Sequence, residues 1–474
     1  MMSRAVVVGG GIAGLTAAYR LASAPRNEPP IEVTLLEASE QVGGKLSTVE
    51  VAGLTIEAGA DSFVTRKPWA VELCEELGLS DELVVPAAMG TFVWTGGRLV
   101  PFLERSALGI PADVGELVRW PGMSRAARLR AAMDWARAPS GPGRDETLGE
   151  LIRRRMGDEA LRVLVGPLLG GLSASDPDRL SVDATFPELR KWALGRGLIR
   201  GAAAAIKAAE EQEAPGALFA TVWGGLERLV DALAGAIGGE RIERAAPASA
   251  IRRGDEGGYV VEARGGRTEA DAVVLATPAF ESARLLEPVA PQAAARLQEI
   301  PYASTAVVTL AYPEGTGSRL PERAGYVVPD GEGASITACT FLSRKWPREG
   351  FGDRAILRCF VGRAGDESIL ERDDSGIVAA VRRDVDAALS LGEHEDARVV
   401  RWERAMPQYE LGHRERVQGV RDALPPGIFV AGAAYDGLGI PDCVRGGGEA
   451  ASRVREHLTG AAPSEQETAS WQTK

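Results

Sequence analysis

The hydrophobic pattern begins with a short apolar run that leads directly into a glycine-rich turn. Residues 5–8 are apolar and mostly β-branched, which predicts a buried strand, and the Ala- and Leu-rich segment 15–22 after the turn predicts a helix. Gly9, Gly11 and Gly14 lie between them in the spacing of a dinucleotide pyrophosphate turn, where glycines let the backbone approach the phosphates and the helix end offers unpaired N–H groups. An ordinary glycine turn is the alternative.

A second apolar run, residues 31–36, predicts the next strand and ends at Glu37. An acidic residue at this distance from the glycine turn is typical of a contact to a ribose hydroxyl. Gly43-Gly44-Lys45 follows, and its backbone amides and cation suit a second phosphate, although a plain turn fits as well. The small residues of segment 57–63 form an elbow that suits contact with a flat ring.

Helical periodicity dominates residues 101–215. Arg125, Arg128 and Arg130 form a basic stripe there. The stripe fits a solvated helix face, or a helical cap that touches a membrane surface or admits an apolar substrate. The predicted helices cover residues 112–120, 124–138, 147–156 and 159–169.

Strand-like patterns dominate the second half of the chain. Segments 259–263 and 271–276 flank Gly265-Gly266 and predict a hairpin. A largely antiparallel sheet is predicted from the runs 306–310, 326–328, 336–341 and 355–360.

Helical periodicity returns at residues 373–391, and a third strand and glycine-rich turn follow later in the chain. Residues 427–434 predict that strand, and Pro441 and Asp442 are start signals for a helix that extends to residue 457. The positive end of this helix, placed beside a flavin ring, would stabilise negative charge on that ring; a capped surface helix is the alternative.

Composition narrows the classes of function. The net charge is 54 − 66 = −12, which argues against wholesale nucleic-acid binding. The four cysteines form no CxxC pair and the three histidines no metal pair, so we expect a reducing compartment and no metal site. No apolar run is long enough to span a bilayer, and the N-terminus enters a predicted strand without room for a cleaved signal. We therefore expect a cytoplasmic monomer with at most peripheral membrane contact.

With these residues in place, the chain resembles the flavin-dependent porphyrinogen oxidases of haem biosynthesis, within the amine-oxidase-like flavoproteins. The resemblance extends from residue 5 to about residue 458. Its most specific motifs are residues 59–66, 170–181, 402–413 and 437–443. It implies an α/β fold with a Rossmann-like FAD-binding domain of the p-cresol/amine-oxidase type (1–88, 219–278 and 398–458), a β-sheet substrate domain (89–106 and 279–397), an inserted α-helical domain (107–218) and a disordered tail (459–474).

The resemblance also implies one non-covalently bound FAD per chain. No cysteine precedes Cys443 in the C-terminal flavin region, which argues against a thioether link to FAD there. Cys443 itself matches a motif position of the family and is read as structural. Ala248 matches the backbone position that contacts adenine, and Trp402 matches a residue that closes the flavin site. The remaining implied contacts are Gly9, Gly10, Gly11, Ile12, Ala13, Gly14, Glu37, Ala38, Gly44, Lys45, Gly59, Ala60, Asp61, Ser62, Leu438, Gly439 and Ile440.

For the substrate, the chain is similar to the Gram-positive bacterial type that acts on coproporphyrinogen. Val100 replaces an arginine that pairs with a propionate in many protoporphyrinogen enzymes. Arg66, Lys67 or Arg98 is expected to substitute, preferably an arginine because it pairs with a carboxylate through two hydrogen bonds. Apolar residues that match the family and should sandwich the macrocycle are Leu172, Ala174, Val327 and Phe341.

The implied reaction is the FAD-dependent, oxygen-using oxidation of coproporphyrinogen III to coproporphyrin III at CH–CH groups. Hydride would pass from a bridging carbon to flavin N5, so that the cofactor supplies the difficult step. No catalytic base is identified, and transient contact with a chelatase is plausible by analogy. The alternatives are a protoporphyrinogen IX oxidase, another flavin oxidase acting on amines or polyenes, and a flavin-fold protein that binds a porphyrin without turnover.

Overall fold

The computed structural model describes residues 2–23, 29–141, 143–171, 174–211, 218–255, 257–346, 348 and 350–460. Its strands are, in chain order, β1 (Ser3–Val8), β2 (Ile31–Leu36), β3 (Thr48–Val51), β4 (Leu54–Glu57), β5 (Phe63–Val64), β6 (Leu83–Val84), β7 (Phe92–Thr95), β8 (Arg98–Pro101), β9 (Ser106–Ala107), β10 (Ile110–Pro111), β11 (Phe219–Val222), β12 (Ile242–Glu243), β13 (Ala248–Arg253), β14 (Tyr259–Ala263), β15 (Gly266–Ala270), β16 (Ala272–Leu275), β17 (Tyr302–Glu314), β18 (Gly325–Val327), β19 (Ile336–Phe341), β20 (Arg354–Val361), β21 (Asp396–Pro407) and β22 (Ile428–Val430).

The α-helices are α1 (Ile12–Ala22), α2 (Trp69–Glu76), α3 (Val114–Arg119), α4 (Arg125–Ala132), α5 (Leu148–Arg155), α6 (Asp158–Ala160), α7 (Val182–Thr185), α8 (Pro187–Leu194), α9 (Leu198–Glu211), α10 (Glu227–Ile237), α11 (Ala279–Leu286), α12 (Pro291–Gln298), α13 (Leu342–Lys345), α14 (Asp374–Leu389), α15 (His413–Ala423) and α16 (Ile440–Thr459). Short 3₁₀ helices cover Ser80–Glu82, Met133–Ala136, Gly239–Arg241, Gly317–Arg319 and Ser368–Glu371. A π-helix covers Leu161–Gly170.

A five-stranded sheet carries the first glycine turn. Its strand order is β12-β2-β1-β16-β22, and all of its pairs are parallel. Both faces of β1 are covered, since Val7 belongs to one hydrophobic cluster and Val8 to another, which explains why the predicted strand shows no polar alternation. Ligands of such sheets bind outside the carboxyl ends of the strands, so the turn after β1 lies at the expected edge.

A seven-stranded sheet, β21-β17-β20-β19-β18-β7-β8, confirms the predicted largely antiparallel arrangement. The pair of β18 and β7 is parallel, and the other neighbours are antiparallel. Strand β21 contains Trp402 and pairs with β17 up to Pro407, so this sheet continues beyond the boundary predicted at residue 397.

The helical insertion has locally encoded helix starts. Thr147 and Glu150 form a capping box at α5, and the Ser124 side chain accepts the Ala127 amide at α4. The segment predicted as an ordinary helix over 159–169 is mostly the π-helix. Pro167 lies inside it and cannot donate a backbone hydrogen bond, which is one cause of its irregular ladder.

Two predictions about elements need correction. The hairpin partner of β14 is β15, whereas β16 pairs in parallel with β1, because an entirely apolar four-residue run suits a sheet covered on both faces. The predicted tail begins too early, since Thr459 still ends α16, and residues 461–474 lie outside the described part of the chain.

Among the described helices, none combines the length and apolarity needed to cross a bilayer.

A buried ion pair anchors the helical insertion. Arg155 Nε donates to Asp134 Oδ1 over 2.5 Å, and the second carboxylate oxygen accepts the Ile199 amide over 2.9 Å near the start of α9. Both charged side chains are buried. One carboxylate therefore holds α5 and α9 together.

Substitution Arg155→Leu should lower the free energy of unfolding by about 3–5 kcal/mol, because it leaves the Asp134 carboxylate buried without its cation. Denaturant titration followed by circular dichroism measures the loss. The control Lys207→Leu removes an exposed cation that pairs with Glu211 one turn further along α9, and should cost less than about 0.5 kcal/mol. Equal losses in the two variants would contradict the role of the buried pair.

Candidate active site

The first glycine turn is shaped by close approach of backbone to backbone. Gly9 has a φ of +106°, and a Cβ there would lie 2.8 Å from the Ala276 carbonyl oxygen. A Cβ at Gly14 would overlap the Gly9 carbonyl oxygen. Gly11 differs, since it has a φ of −72° and a Cβ there would meet no protein atom within 4 Å. The space beside Gly11 suits the close approach of a phosphate.

The predicted ribose residue lies against this turn. Glu37 accepts the Gly10 amide at Oε2 over 2.6 Å and the Ser39 amide at Oε1 over 2.8 Å. Each carboxylate oxygen keeps a further lone pair for a hydroxyl donor. Ala246, two residues before Ala248, donates to the Glu37 carbonyl over 2.9 Å. The structure thus brings Glu37, Ala38 and Ala248 together at one edge of the sheet.

The Gly43-Gly44-Lys45 loop closes over the same turn. The Gly43 amide donates to the Gly10 carbonyl over 2.7 Å, and a Cβ at Gly44 would lie 3.3 Å from Gly11 Cα. Lys45 is exposed to solvent, but many protein atoms lie near its ammonium group. The resulting loss of hydration lowers the pKa of this group. A cation in such surroundings suits an anionic partner.

The strand β22 and the glycine-rich turn after it lead into α16, whose start reaches this site. Tyr409 links the two sides of this turn, since its hydroxyl donates to the Ala433 carbonyl and accepts the Gly437 amide, each over 2.8 Å. Gly439 is the N-cap and no side chain caps this helix, so Ile440 and Asp442 are the residues of the first turn whose N–H groups a ligand could reach, whereas Pro441 between them has no N–H. Of the two neighbours of Gly439, Ile440 is buried and Leu438 is partly buried.

Lys67 holds the start of this helix. Its Nζ lies 2.6 and 2.7 Å from the two carboxylate oxygens of Asp442 in the first turn. A predicted propionate partner is therefore engaged by a carboxylate of the protein. Cys443 follows as a buried thiol whose pKa burial raises to about 12, in agreement with a structural role.

The loop 59–62 lies between the cofactor cradle and the seven-stranded sheet. Trp402 Nε1 donates to the Ala58 carbonyl over 3.0 Å, and a Cβ at Gly59 would lie 3.3 Å from the Trp402 ring. Lys45 and Gly59 are in direct contact, since the same Cβ would overlap the Lys45 carbonyl oxygen. The structure therefore assembles Gly59, Ala60, Asp61, Ser62 and Trp402 beside the glycine-rich loops.

Asp61 connects this loop to residues that the sequence pattern did not single out. Its Oδ2 lies 2.9 Å from Lys345 Nζ and accepts Trp346 Nε1 over 3.0 Å. Burial alone would raise the pKa of Asp61, but Lys345 and Arg358 outweigh it and hold the pKa well below its usual range. No local motif marks Lys345 or Arg358, because their partner is almost 300 residues away in the chain.

The face of the seven-stranded sheet on the side of the loop 59–62 is apolar and partly accessible. Val327, Ala338 and Phe360 lie opposite one another on β18, β19 and β20. Their neighbours on the other face, Tyr326 and Cys339, are buried against α14. We call Val327, Ala338 and Phe360 the apolar row.

Phe341 belongs to the opposite face of the sheet. It is 0% exposed, and its ring centroid lies 5.9 Å from that of Tyr326 inside the core. The structure thus separates Phe341 from Val327, with which it was expected to contact one substrate. Phe360 and Ala338 hold the accessible positions, and register is the signal that distinguishes them, since successive strand residues alternate between faces.

The other predicted substrate residues are distributed around this face. The Ala174 carbonyl accepts the Ala364 amide over 2.8 Å beside the end of β20, whereas Leu172 lies outside the described residues. Arg98 is exposed and donates to the Pro121 carbonyl over 3.4 Å. Arg66 is exposed in the turn before α2, and Val100 is buried in the core of the helical insertion.

Together these residues fit FAD. The glycine turn leaves room for a pyrophosphate, Glu37 and Ala248 share the adjoining edge, and Gly59, Trp402 and the start of α16 surround the other end. Among the described residues, no group of three or more His, Cys, Asp and Glu side chains has the arrangement of a metal site.

Comparisons with known proteins agree with this geometry. The family model of flavin containing amine oxidoreductases matches residues 12–455. The coproporphyrinogen III oxidase of Bacillus subtilis (strain 168) is 35% identical over 96% of this chain and 98% of the relative. That of Mycobacterium tuberculosis (strain ATCC 25618 / H37Rv) is 35% identical over 95% and 97%. A solved structure from Exiguobacterium sp. 255-15, provisionally described as a protoporphyrinogen oxidase, has a TM-score of 0.84 and 33% identity over 96% and 99%. The predicted fold class is confirmed.

Substitution Gly11→Ala should leave the fold intact but weaken dinucleotide binding on the order of a hundredfold, about 2.7 kcal/mol, because the new methyl group fills the space beside the phosphates. Titration of the apoprotein with FAD, followed by flavin fluorescence, measures the dissociation constant. The control Gly235→Ala also meets no atom within 4 Å, lies in the exposed part of α10 and should bind FAD normally. Unchanged FAD affinity in Gly11→Ala would refute this position for the pyrophosphate.

Proposed function

Because the chain belongs to the flavin-containing amine oxidoreductase family, we propose that it oxidises coproporphyrinogen III to coproporphyrin III in haem biosynthesis, with FAD as cofactor and oxygen as acceptor. The observation that carries the proposal is the apolar row, an accessible apolar face of a sheet beside the loop 59–62, in a chain that matches relatives of that name over nearly its full length. The resemblance to the porphyrinogen oxidases predicted from the motifs is confirmed by these relatives.

One FAD per chain would be held without a covalent bond. Gly9–Gly14 would contact its pyrophosphate, Glu37 and Ala38 its ribose, and the Ala248 backbone its adenine. The remaining contacts would come from Gly44, Lys45, Gly59, Ala60, Asp61, Ser62, Trp402, Leu438, Gly439 and Ile440. Cys443 supports the non-covalent assignment, since its thiol is buried and its raised pKa disfavours the reactive thiolate.

The protein's part in the reaction is to bind and orient the substrate. FAD, when bound, accepts the electrons of the porphyrinogen. The apolar row excludes water from one side of the macrocycle. Ala174 lies near the end of β20 that carries Phe360, since its carbonyl accepts the Ala364 amide just beyond that strand. We assign no side chain as catalytic base, and the pyrrole protons would pass to water.

Substrate carboxylates require cations at the rim of the apolar row. Arg66 and Arg98 are exposed and suited to this role, whereas Lys67 would have to share its ammonium group with Asp442. Val100 cannot contribute, since its apolar side chain is buried. Coproporphyrinogen has four propionates, so more than one arginine should contribute to its affinity.

Protoporphyrinogen IX is the second candidate substrate, because the structurally similar protein from Exiguobacterium carries that description. An amine-directed flavin oxidase and a porphyrin-binding protein without turnover are the remaining alternatives. We further propose cytoplasmic localisation, which the four free cysteines support. The proposed partners are the porphyrinogen, molecular oxygen and transiently a chelatase, without nucleic acid and with at most peripheral membrane contact.

Anaerobic mixing of the FAD-loaded protein with coproporphyrinogen III should bleach the flavin absorbance, and air should restore it with the appearance of porphyrin fluorescence. Protoporphyrinogen IX should react with a kcat/KM at least about tenfold lower, the effect of roughly 1.4 kcal/mol of binding energy to the additional propionates. Faster reaction with protoporphyrinogen IX would favour the second candidate. If neither compound bleaches the flavin, the enzymatic assignment is wrong.

Substitution Phe360→Ala should raise the KM for coproporphyrinogen III about tenfold or more, because it removes apolar surface that would contact the macrocycle. Steady-state porphyrin fluorescence measures this change. The matched variant Phe341→Ala should instead lower the free energy of unfolding by about 3–5 kcal/mol and leave KM nearly unchanged, since Phe341 lies in the core on the other face. The reverse pattern would restore Phe341 as the substrate residue.

A further inference from the structure

Five charged side chains form a buried cluster between the loop 59–62 and the seven-stranded sheet. Arg358 donates through Nη2 to the Gly59 carbonyl, and its Nη1 lies 3.6 Å from Asp61. Lys345 is the second cation that contacts Asp61, with its Nζ 2.9 Å from Asp61 Oδ2. Glu57 accepts the Leu226 amide over 2.7 Å and lies 3.7 Å from Arg348. The cluster comprises Glu57, Asp61, Lys345, Arg348 and Arg358.

The cluster carries more positive than negative charge. It has three cations and two carboxylates, and all five side chains are at most 16% exposed. Burial raises the pKa of Glu57 to about 7, although the Leu226 amide and the nearby arginines oppose this shift. The cluster's net charge therefore lies between about one and two positive charges near neutral pH. An uncompensated charge in such a site is costly unless an anion joins it.

Arg358 is the member of the cluster that lies closest to both halves of the site. It is 1% exposed, and within the described residues its Nε has no hydrogen-bond partner. Its guanidinium carbon lies 5.5 Å from the centroid of the Phe360 ring in the apolar row. Its carbonyl partner, Gly59, contacts both Lys45 and Trp402. One buried cation thus connects the cofactor loop with the proposed substrate face.

Reduction of a flavin by two electrons and one proton adds one negative charge to it, and in the proposed reaction the porphyrinogen supplies the electrons. We propose that Arg358 is a positioning residue that fixes the Gly59–Ser62 loop and supplies positive charge that favours the reduced, anionic flavin. This inference rests on the proposed function for the identity of the cofactor. It assigns to Arg358, a side chain of the seven-stranded sheet, a role that the start of α16 would share, since both place positive charge near the flavin.

The experiment measures the reduction equilibrium of bound FAD against a redox dye, under anaerobic enzymatic reduction and without any porphyrinogen. Arg358→Met should lower the equilibrium constant for flavin reduction on the order of tenfold, as expected for the loss of one charge in a partly buried site. Arg358→Lys keeps the positive charge at this position and should stay within about twofold of the wild type. The matched control Arg354→Met lies on the same strand, pairs with the exposed Glu314 and should leave the equilibrium unchanged.

Asp61→Asn tests the opposite change of charge in the cluster. It also keeps the inference testable if the Arg358→Met protein does not fold. It removes a negative charge at nearly constant shape, so it should raise the equilibrium constant for reduction. Folded, FAD-bound Arg358→Met and Asp61→Asn proteins with the wild-type equilibrium would overturn the inference, as would shifts of both in the same direction. Failure of the proposed function would look different, because the wild-type protein itself would not bind FAD or would not be bleached by either porphyrinogen.

Discussion

The site depends on one constraint, the close approach of backbone to backbone at glycines that no side chain can replace. Gly14 lets α1 lie against the turn at Gly9. Gly447 lets α16 lie against Ala13 of α1. Two segments more than 400 residues apart in the chain therefore meet at one point. The Gly43 loop adds the third contact through its hydrogen bond to Gly10. These close contacts bring the first glycine turn, the Gly43 loop and α16 together at the candidate cofactor site.

The second half of the site is ordered by charge as much as by hydrophobic contact. The seven-stranded sheet buries one face beneath α14 and leaves the apolar row partly accessible on the other. The apolar contacts of such a face do not by themselves fix its position relative to the glycine loops. Asp61 fixes this position, since Arg358 of β20 and Lys345 and Trp346 at the end of α13 all contact it. These contacts thus hold the apolar row and the loop 59–62 in a fixed relative position.

Local chemistry was predictable from the sequence, and long-range register was not. The turn at Gly9, the acid at Glu37 and the start of α16 follow from short motifs whose spacing has a physical cause. Phe341 and Phe360 look alike in the sequence, and only the pairing of β19 with β20 shows which ring lies on the accessible face of the sheet. The sequence placed Lys67 near the substrate, but its partner, Asp442, is 375 residues away. Segment 271–276 was assigned to a hairpin because apolar runs do not reveal whether their partner is parallel.

The burial of Val100 bears on where the proposed substrate carboxylates would bind. An arginine at that position would project from the sheet into the space that the helical insertion fills, where Val93 and Val100 lie opposite each other in an apolar core. Arg98 lies two residues earlier on the same strand, hence on the same face but at its exposed end. With the cation at the rim and not in the interior, the centre of the proposed macrocycle site would lack a carboxylate-specific contact. A substrate with propionates around its whole periphery is better matched to rim cations than one with two propionates on one side, which is the physical reason to favour coproporphyrinogen.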